Sequence, residues 1–390
     1  MHRIQRRLHQ HLPLLATLAA ICLGSVIHIL GVGWVLERLY PSFAYSEIVK
    51  ARIIEVFYFI WSFWVGSAIG SYLNVVAWRL PRNLSIGGRS HCPRCGSQLR
   101  ARDNIPFFGW IGVRGRCFNC GLPISKRYPI VEAIVGLCVA AVVVASLYRW
   151  SIPGYIIEYK TGPLRTAFLS PTLVALIVFH IYAVASSFAV GLVRMDGNRL
   201  PVRLVTWCLI PLVTGILVYP PFGVVTWRTG EPPIEWTSVS RYIDALIRVI
   251  TAFVASAILS RSLARGLYPQ ADPKLDPLGK STIRLMDVFV MLSIPSIVLG
   301  WQSFVGFLVF SSVAVAIGRV VFRPTLGERD AMECFSITLP VAFTLHLVFW
   351  NVLRNQSWYP SDESEPVIVL VWGAAALFVP TWLRDKSMNG

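Results

Sequence analysis

Residues 70–110, GSYLNVVAWRLPRNLSIGGRSHCPRCGSQLRARDNIPFFGW, begin as an apolar helix, turn into an arginine-rich loop at Arg79-Leu80-Pro81-Arg82, and present Cys92 and Cys95 two residues apart. An apolar run that ends in a cluster of arginines reads as the foot of a membrane span. The cysteine pair just beyond it has the spacing of half a metal site. This one stretch therefore proposes a chain that crosses a bilayer and carries a small folded loop at its surface.

The rest of the sequence agrees. Its 390 residues are 55% hydrophobic and only 14% charged, too apolar for a water-soluble domain of ordinary surface chemistry. Apolar runs recur at residues 13–36, 54–78, 129–148, 170–193, 204–228, 241–260, 285–300, 303–322, 335–352 and 366–383. Since about 20 apolar helical residues cross a bilayer core, these runs predict an all-α polytopic membrane protein with about ten transmembrane helices. Only Gly300-Trp301-Gln302 divides the seventh run from the eighth, so a tight re-entrant turn competes there with two full crossings. The first run follows Arg3, Arg6 and Arg7 and is read as a retained anchor, because it is long and has no clear small-residue cleavage site.

Basic residues orient such a chain. Residues 79–127 hold ten of them against a single acid, Asp103, so this loop is expected in the cytoplasm. Counting outward places both termini and the Arg194–Arg203, Arg261–Arg284 and Arg319–Arg329 segments on the same side, with the acidic 361–365 loop outside. The net charge of +16 is then topology and attraction to anionic lipid, not nucleic-acid binding.

Cys22, Cys138, Cys208 and Cys334 stand singly in or beside apolar runs, as small buried hydrophobes do. Cys92-Pro93-Arg94-Cys95 and Cys117-Phe118-Asn119-Cys120 instead form two C-x2-C pairs separated by 21 residues, close to the spacing of four-thiolate zinc ribbons. Gly96 and Gly121 directly follow the pairs and suit the bends that such knuckles need. Two disulfides or four idle thiols are the alternatives, and a reducing cytoplasm counts against disulfides. Four thiolates leave no open position for water, which makes the zinc structural and puts any chemistry elsewhere.

The ordered series Gly70-Ser71-Tyr72-Leu73-Asn74-Val75-Val76, Arg79-Leu80-Pro81, the first cysteine pair, Asp103-Asn104-Ile105-Pro106, Arg114-Gly115-Arg116 with the second pair, and Ile124-Ser125-Lys126-Arg127-Tyr128-Pro129-Ile130-Val131-Glu132 resembles the N-terminal domain of type IV prepilin leader peptidases over about 65 residues. The resemblance implies an inner-membrane enzyme of bacteria that cuts basic leaders from type IV pilin and pseudopilin precursors at the cytoplasmic face. It also implies N-methylation of the new terminus with S-adenosylmethionine, for which no glycine-rich strand–turn–helix pattern is found here. The organisation expected is an anchor helix and external loop over residues 1–53, a span over 54–78, a four-cysteine zinc domain over 79–128, and a multi-span peptidase-like domain over 129–390.

Cleavage in that family uses two aspartates at cytoplasmic helix ends: neighbouring carboxyls cannot both ionise, so one donates a proton while the other accepts one from water. The topology offers Asp196, where the fourth span reaches the cytoplasm, and Asp287, where the seventh leaves it. A turn residue and a helix-start carboxylate are the plainer accounts of these two. This sequence also departs from the family motifs. Arg194 stands seven residues before Pro201, where the family's catalytic aspartate usually falls, and Asp196 matches only an accompanying acid. Arg284 and Met286 replace the two glycines of the second motif, and Phe289 replaces its lysine. Two hypotheses follow, an aspartic peptidase with Asp196 and Asp287 as its acid–base pair, and a non-catalytic zinc-binding relative that holds pilin-like or secretion partners. His28, His180 and His346 read as core or helix-contact histidines, Glu132 as a helix-start carboxylate or a support for the aspartates, and Gly66, Ser67, Gly70 and Ser71 as a close-packing face.

Overall fold

The computed structural model describes residues 2–92, 94–148, 162–164, 169–225, 238–267, 280–326, 331–361 and 364–383, without the side chains of 2–11, 238–241, 280–284 and 321–326. Among the described residues all regular structure is helical, apart from two single extended bridges, His91–Gln98 and Arg116–Pro123. The helices are α1 (His2–Ile27), α2 (Gly33–Leu39), α3 (Tyr45–Arg79), α4 (Phe108–Gly112), α5 (Arg127–Tyr148), α6 (Pro171–Met195), α7 (Val202–Val218), α8 (Ser238–Leu267), α9 (Lys280–Leu299), α10 (Trp301–Leu326), α11 (Ala331–Val348), α12 (Trp350–Arg354) and α13 (Pro366–Phe378).

Among the described residues eight helices are long and apolar enough to cross a membrane, from Leu12–Leu39 to Pro366–Leu383, and two shorter apolar helices, Val202–Val218 and Leu285–Leu299, fall on the fifth and seventh runs. The fifth run is cut at Val218 because Pro220 and Pro221 follow: proline cannot extend the amide ladder and drives the residue before it out of the helical region, as Tyr219 shows with φ −135° and ψ 85°. Gly300, at φ +83°, separates α9 from α10, so the thin divider is a left-handed break between two helices.

The chain forms two compact units. In the first, built from Met1–Val75, Ser85–Arg149 and Glu158–Phe168, α3 and α5 meet at the face read from the sequence. A Cβ on Gly66 would lie 2.7 Å from the Val139 Cβ, and one on Gly70 would lie 2.9 Å from the Glu132 Cα. Small residues here let two backbones approach, which is how helices associate when lipid removes the hydrophobic drive. His28 Nε2 lies 3.5 Å from Glu55, which also pairs with Arg52, and Arg52 donates to the Pro163 carbonyl at 3.1 Å.

In the second unit α6 packs on α11 where Gly191 rides against the Ser336 carbonyl, and α8 packs on α9. The bulky core side chains include Phe304, Phe307, Phe335, Phe343, Trp350 and Tyr359. Buried His346 is satisfied on both ring nitrogens, by the Ser303 hydroxyl at 3.2 Å and the Tyr359 hydroxyl at 3.1 Å. Buried His180 is held against the Phe222 carbonyl at 3.0 Å. The core and helix-contact readings of these histidines thus hold.

Candidate metal centre and aspartate turn

Each cysteine pair folds into the same small loop. In the first, Cys92 N–H donates to the Ser97 carbonyl at 2.9 Å and Gly96 N–H to the Cys92 carbonyl at 2.9 Å. The second repeats this with Cys117 to Leu122 at 2.8 Å and Gly121 to Cys117 at 2.9 Å. Gly96 and Gly121 close them at φ +69° and +70°, the left-handed conformation that glycine adopts without a Cβ penalty. Two similar loops thereby face their sulfurs toward each other.

The four Sγ atoms lie within 4.8 Å of one another, and the contacts between the pairs, Cys92–Cys120 and Cys95–Cys117, are both 4.0 Å. A tetrahedron with Zn–S bonds of ~2.3 Å has an edge of about 3.8 Å, so the set fits one zinc ion with a small contraction. All eight cysteines are free thiols.

Charge favours the same conclusion. The Ser97 hydroxyl, 3.0 Å from Sγ, and then the Ser97 amide pull the Cys95 thiol down to about 6, and the amides of Cys120 and Asn119 lower Cys117. The Leu122 amide pulls on Cys120, yet burial and the three neighbouring sulfurs outweigh it and push that thiol up to about 11. Two thiols pulled toward the thiolate form and a third held back by crowding describe a site that a divalent cation would complete.

Between the knuckles the chain is pinned. Glu132, buried in the second turn of α5, accepts the Phe107 N–H at 2.6 Å and is also bonded by Ser71. Phe107 sits at φ +61°, strained for a side chain of that size. Arg100 grips Asp103 through two nitrogens at 2.6 and 3.2 Å. The sequence located Glu132 but not its partner, because a positive φ at a phenylalanine has no residue-type signal. This bond to Phe107 goes beyond a helix-start carboxylate.

The aspartates occupy one turn of the second unit. Asp196 ends α6, and the next residues close it: Gly197, at φ +69°, donates to the Arg194 carbonyl at 2.9 Å, and Asn198 donates to Val193 at 3.2 Å. This is the glycine-terminated helix end in which the last carbonyls are satisfied by returning amides. Asp287, buried in α9, reaches the same turn: its Oδ1 accepts the Leu200 N–H at 3.3 Å and its Oδ2 lies 2.9 Å from Arg194 Nη1. Arg194 and Asp287 are each 7% exposed at the side chain, so this is a buried ion pair. Arg194 Nη1 also donates to the Asn198 carbonyl at 2.6 Å. The structure therefore brings Asp287 to the turn that carries Asp196, and the charge in contact with it is Arg194. The side chain of Arg284 lies outside the described residues.

Comparison with known proteins matches residues 64–146 to the bacterial peptidase A24 N-terminal domain. The chain is 48% identical over 86 residues to a prepilin leader peptidase/N-methyltransferase of Myxococcus xanthus (strain DK1622), covering 22% of this chain and 24% of that protein. It is 40% identical over 109 residues to a type 4 prepilin-like proteins leader peptide-processing enzyme of Escherichia coli O78:H11, covering 23% and 39%. A prepilin leader peptidase/N-methyltransferase of Burkholderia pseudomallei (strain 1026b) is 28% identical over 190 residues, covering 39% and 61%. The chain thus spans between about a quarter and three fifths of these relatives' length, and no solved structure matches it. The matched segment takes in the C-terminal part of α3, both cysteine knuckles, Glu132 and nearly all of α5. Over this module the chain is similar to the bacterial peptidase A24 N-terminal domain and to prepilin leader peptidases.

Proposed function

We propose that the chain is a prepilin-type leader peptidase of the bacterial inner membrane, with its basic loop in the cytoplasm and basic leaders of pilin-like or pseudopilin-like precursors as substrates. The observation that carries this reading is the intact module: four converging cysteines inside the segment matched to the peptidase domain. Cys92, Cys95, Cys117 and Cys120 would hold zinc, which when bound supplies a fixed loop geometry and no open coordination position. Chemistry falls to Asp196 and Asp287. Asp287, in contact with Arg194 and bonded by Leu200 N–H, takes a proton from the attacking water as the water oxygen adds to the scissile carbonyl, and passes it to the leaving amine as the C–N bond breaks. Asp196, on the less buried helix end, gives its proton to that carbonyl oxygen. S-adenosylmethionine would be the methyl donor that the N-methyltransferase part of the relatives' names suggests.

Arg194 favours a second reading. A buried guanidinium 2.9 Å from Asp287 occupies the carboxylate in an ion pair, and a chain so built would hold leaders without cutting them. Co-expression with a precursor bearing a basic leader, read by N-terminal mass analysis, decides between them. Cleavage by the parent that is lost in Asp287→Asn supports the peptidase. An uncut precursor that copurifies with both proteins supports the holding role, and an uncut precursor that copurifies with neither removes both.

A further inference from the structure

The second cysteine knuckle exposes apolar surface that the metal site does not need. Phe118 is 68% exposed and Leu122 is 45% exposed, both within the six residues 117–122, and Ile105 on the intervening loop is 45% exposed. A structural knuckle needs its cysteines and its turn glycine; nothing in that geometry calls for a phenylalanine held in solvent. Phe118 is moreover backed on one face by the Arg100 guanidinium, 3.1 Å above the ring, which props the ring outward.

The surroundings are cationic. Arg94, Arg102, Arg116 and Lys126 are all exposed, and Asp103, the one acid between residues 79 and 127, is already gripped by Arg100. The loop enters from α3 and leaves into α5, both apolar enough to span a membrane, so the module is tethered at both ends close to the bilayer surface. Exposed Tyr128, where α5 begins, is the kind of residue that marks the interface.

We infer that the knuckle module is an interfacial anchor for anionic lipid: Phe118 and Leu122 enter the headgroup region of the leaflet from which the loop emerges, while Arg94, Arg102, Arg116 and Lys126 pair with lipid phosphates. Two requirements of surface binding are met together, apolar side chains at the tip and cations around them. The inference stands independently of whether the chain cuts a leader. A basic leader is a poor electrostatic match for this surface, and an anionic leaflet is a good one.

The test uses the full chain in nanodiscs of wholly zwitterionic lipid and in nanodiscs containing anionic phosphatidylglycerol, with hydrogen–deuterium exchange followed by mass spectrometry and zinc content measured on the same samples. Exchange at amides 117–122 should slow by about fivefold in the anionic discs, the effect of ~1 kcal/mol from a single surface cation. Phe118→Ser, and separately Arg94→Gln with Arg116→Gln and Lys126→Gln, should each abolish that difference with zinc retained. Equal exchange in the two lipids would overturn the inference. So would protection that appears only when a precursor peptide is added, which would make the knuckle a protein-docking surface. If Phe118→Ser loses zinc, Phe118→Leu, which keeps the apolar surface, must still show the lipid dependence, and its failure to do so also overturns the inference.

Discussion

The cysteine module and the aspartate turn were both proposed from short motifs, and they differ in how far each motif's neighbours support it. Around Cys92, Cys95, Cys117 and Cys120 every supporting element is present twice: the returning amide, the left-handed glycine, and the partner sulfur at 4.0 Å. Around Asp196 and Asp287 the two acids reach one turn, but the company is changed. Arg194 occupies the place where the family resemblance expects a carboxylate, and it is the group in contact with Asp287. A thiolate set defines its function by donor type and distance alone. A carboxylate pair does so only if nothing else neutralises it.

The sharpest way to break the comparison is at the metal. Cys117→Ser should reduce zinc from about one ion per chain to none and open residues 91–124 to protease, because apparent binding energies of ~10–16 kcal/mol for structural zinc in small peptides are folding energy. Metal analysis of purified protein checks this. Retention of half the zinc would mean that the two knuckles bind separate ions.

At the aspartate turn the expected effect is smaller but directional. Arg194→Ala leaves the Asp287 charge buried without its partner and should cost about 3–5 kcal/mol. The double variant Arg194→Met with Asp287→Asn should recover most of that, read from thermal unfolding in detergent. An Arg194→Ala protein as stable as the parent would show that the pair contributes nothing. Arg194→Asp sharpens the point further: it returns a carboxylate to the motif position and should raise leader cleavage above that of the parent in the co-expression assay.

Glu132 tests the link between loop and helix. Glu132→Ala removes the acceptor of a charge-assisted bond to Phe107 N–H and should destabilise the intervening loop by ~1.5–3 kcal/mol. Faster exchange at the Phe107 amide, with zinc content unchanged, is the expected result. Unaltered exchange there would mean that the strained Phe107 turn holds itself.

What could be read in advance followed the range of the interactions involved. Ten apolar runs gave ten apolar helices because crossing lipid forces each segment to satisfy its own backbone, a purely local demand. The knuckle glycines were readable for the same reason. The early stop of α7 at Val218 was also local, and Pro220 and Pro221 announced it, but hydropathy continuing through Val224 and Val225 masked the signal. The contacts Arg194–Asp287 and Glu132–Phe107 join residues 93 and 25 positions apart, and no sequence pattern specifies which cation or amide a buried carboxylate will meet.

The smallest effect is the most discriminating for the knuckles themselves. Gly96 and Gly121 have nearly equal φ, and a Cβ added to either would meet nothing within 4 Å, so alanine at these positions has no steric neighbour to displace. The cost is then backbone alone, about 1–2 kcal/mol for an L-residue in the left-handed region. Gly96→Ala and Gly121→Ala should each weaken zinc by roughly tenfold, at ~1.4 kcal/mol per decade, in competition with a chelator. Asparagine tolerates this conformation, so Gly96→Asn should lose less than Gly96→Ala. Gly112→Ala is the control, since that glycine also has open space around it but no positive φ, and its zinc affinity should stay at the parent value. Equal losses at 96 and 121 would show two knuckles contributing alike to one tetrahedral site, whereas a loss confined to one would show that the other bends without needing its glycine.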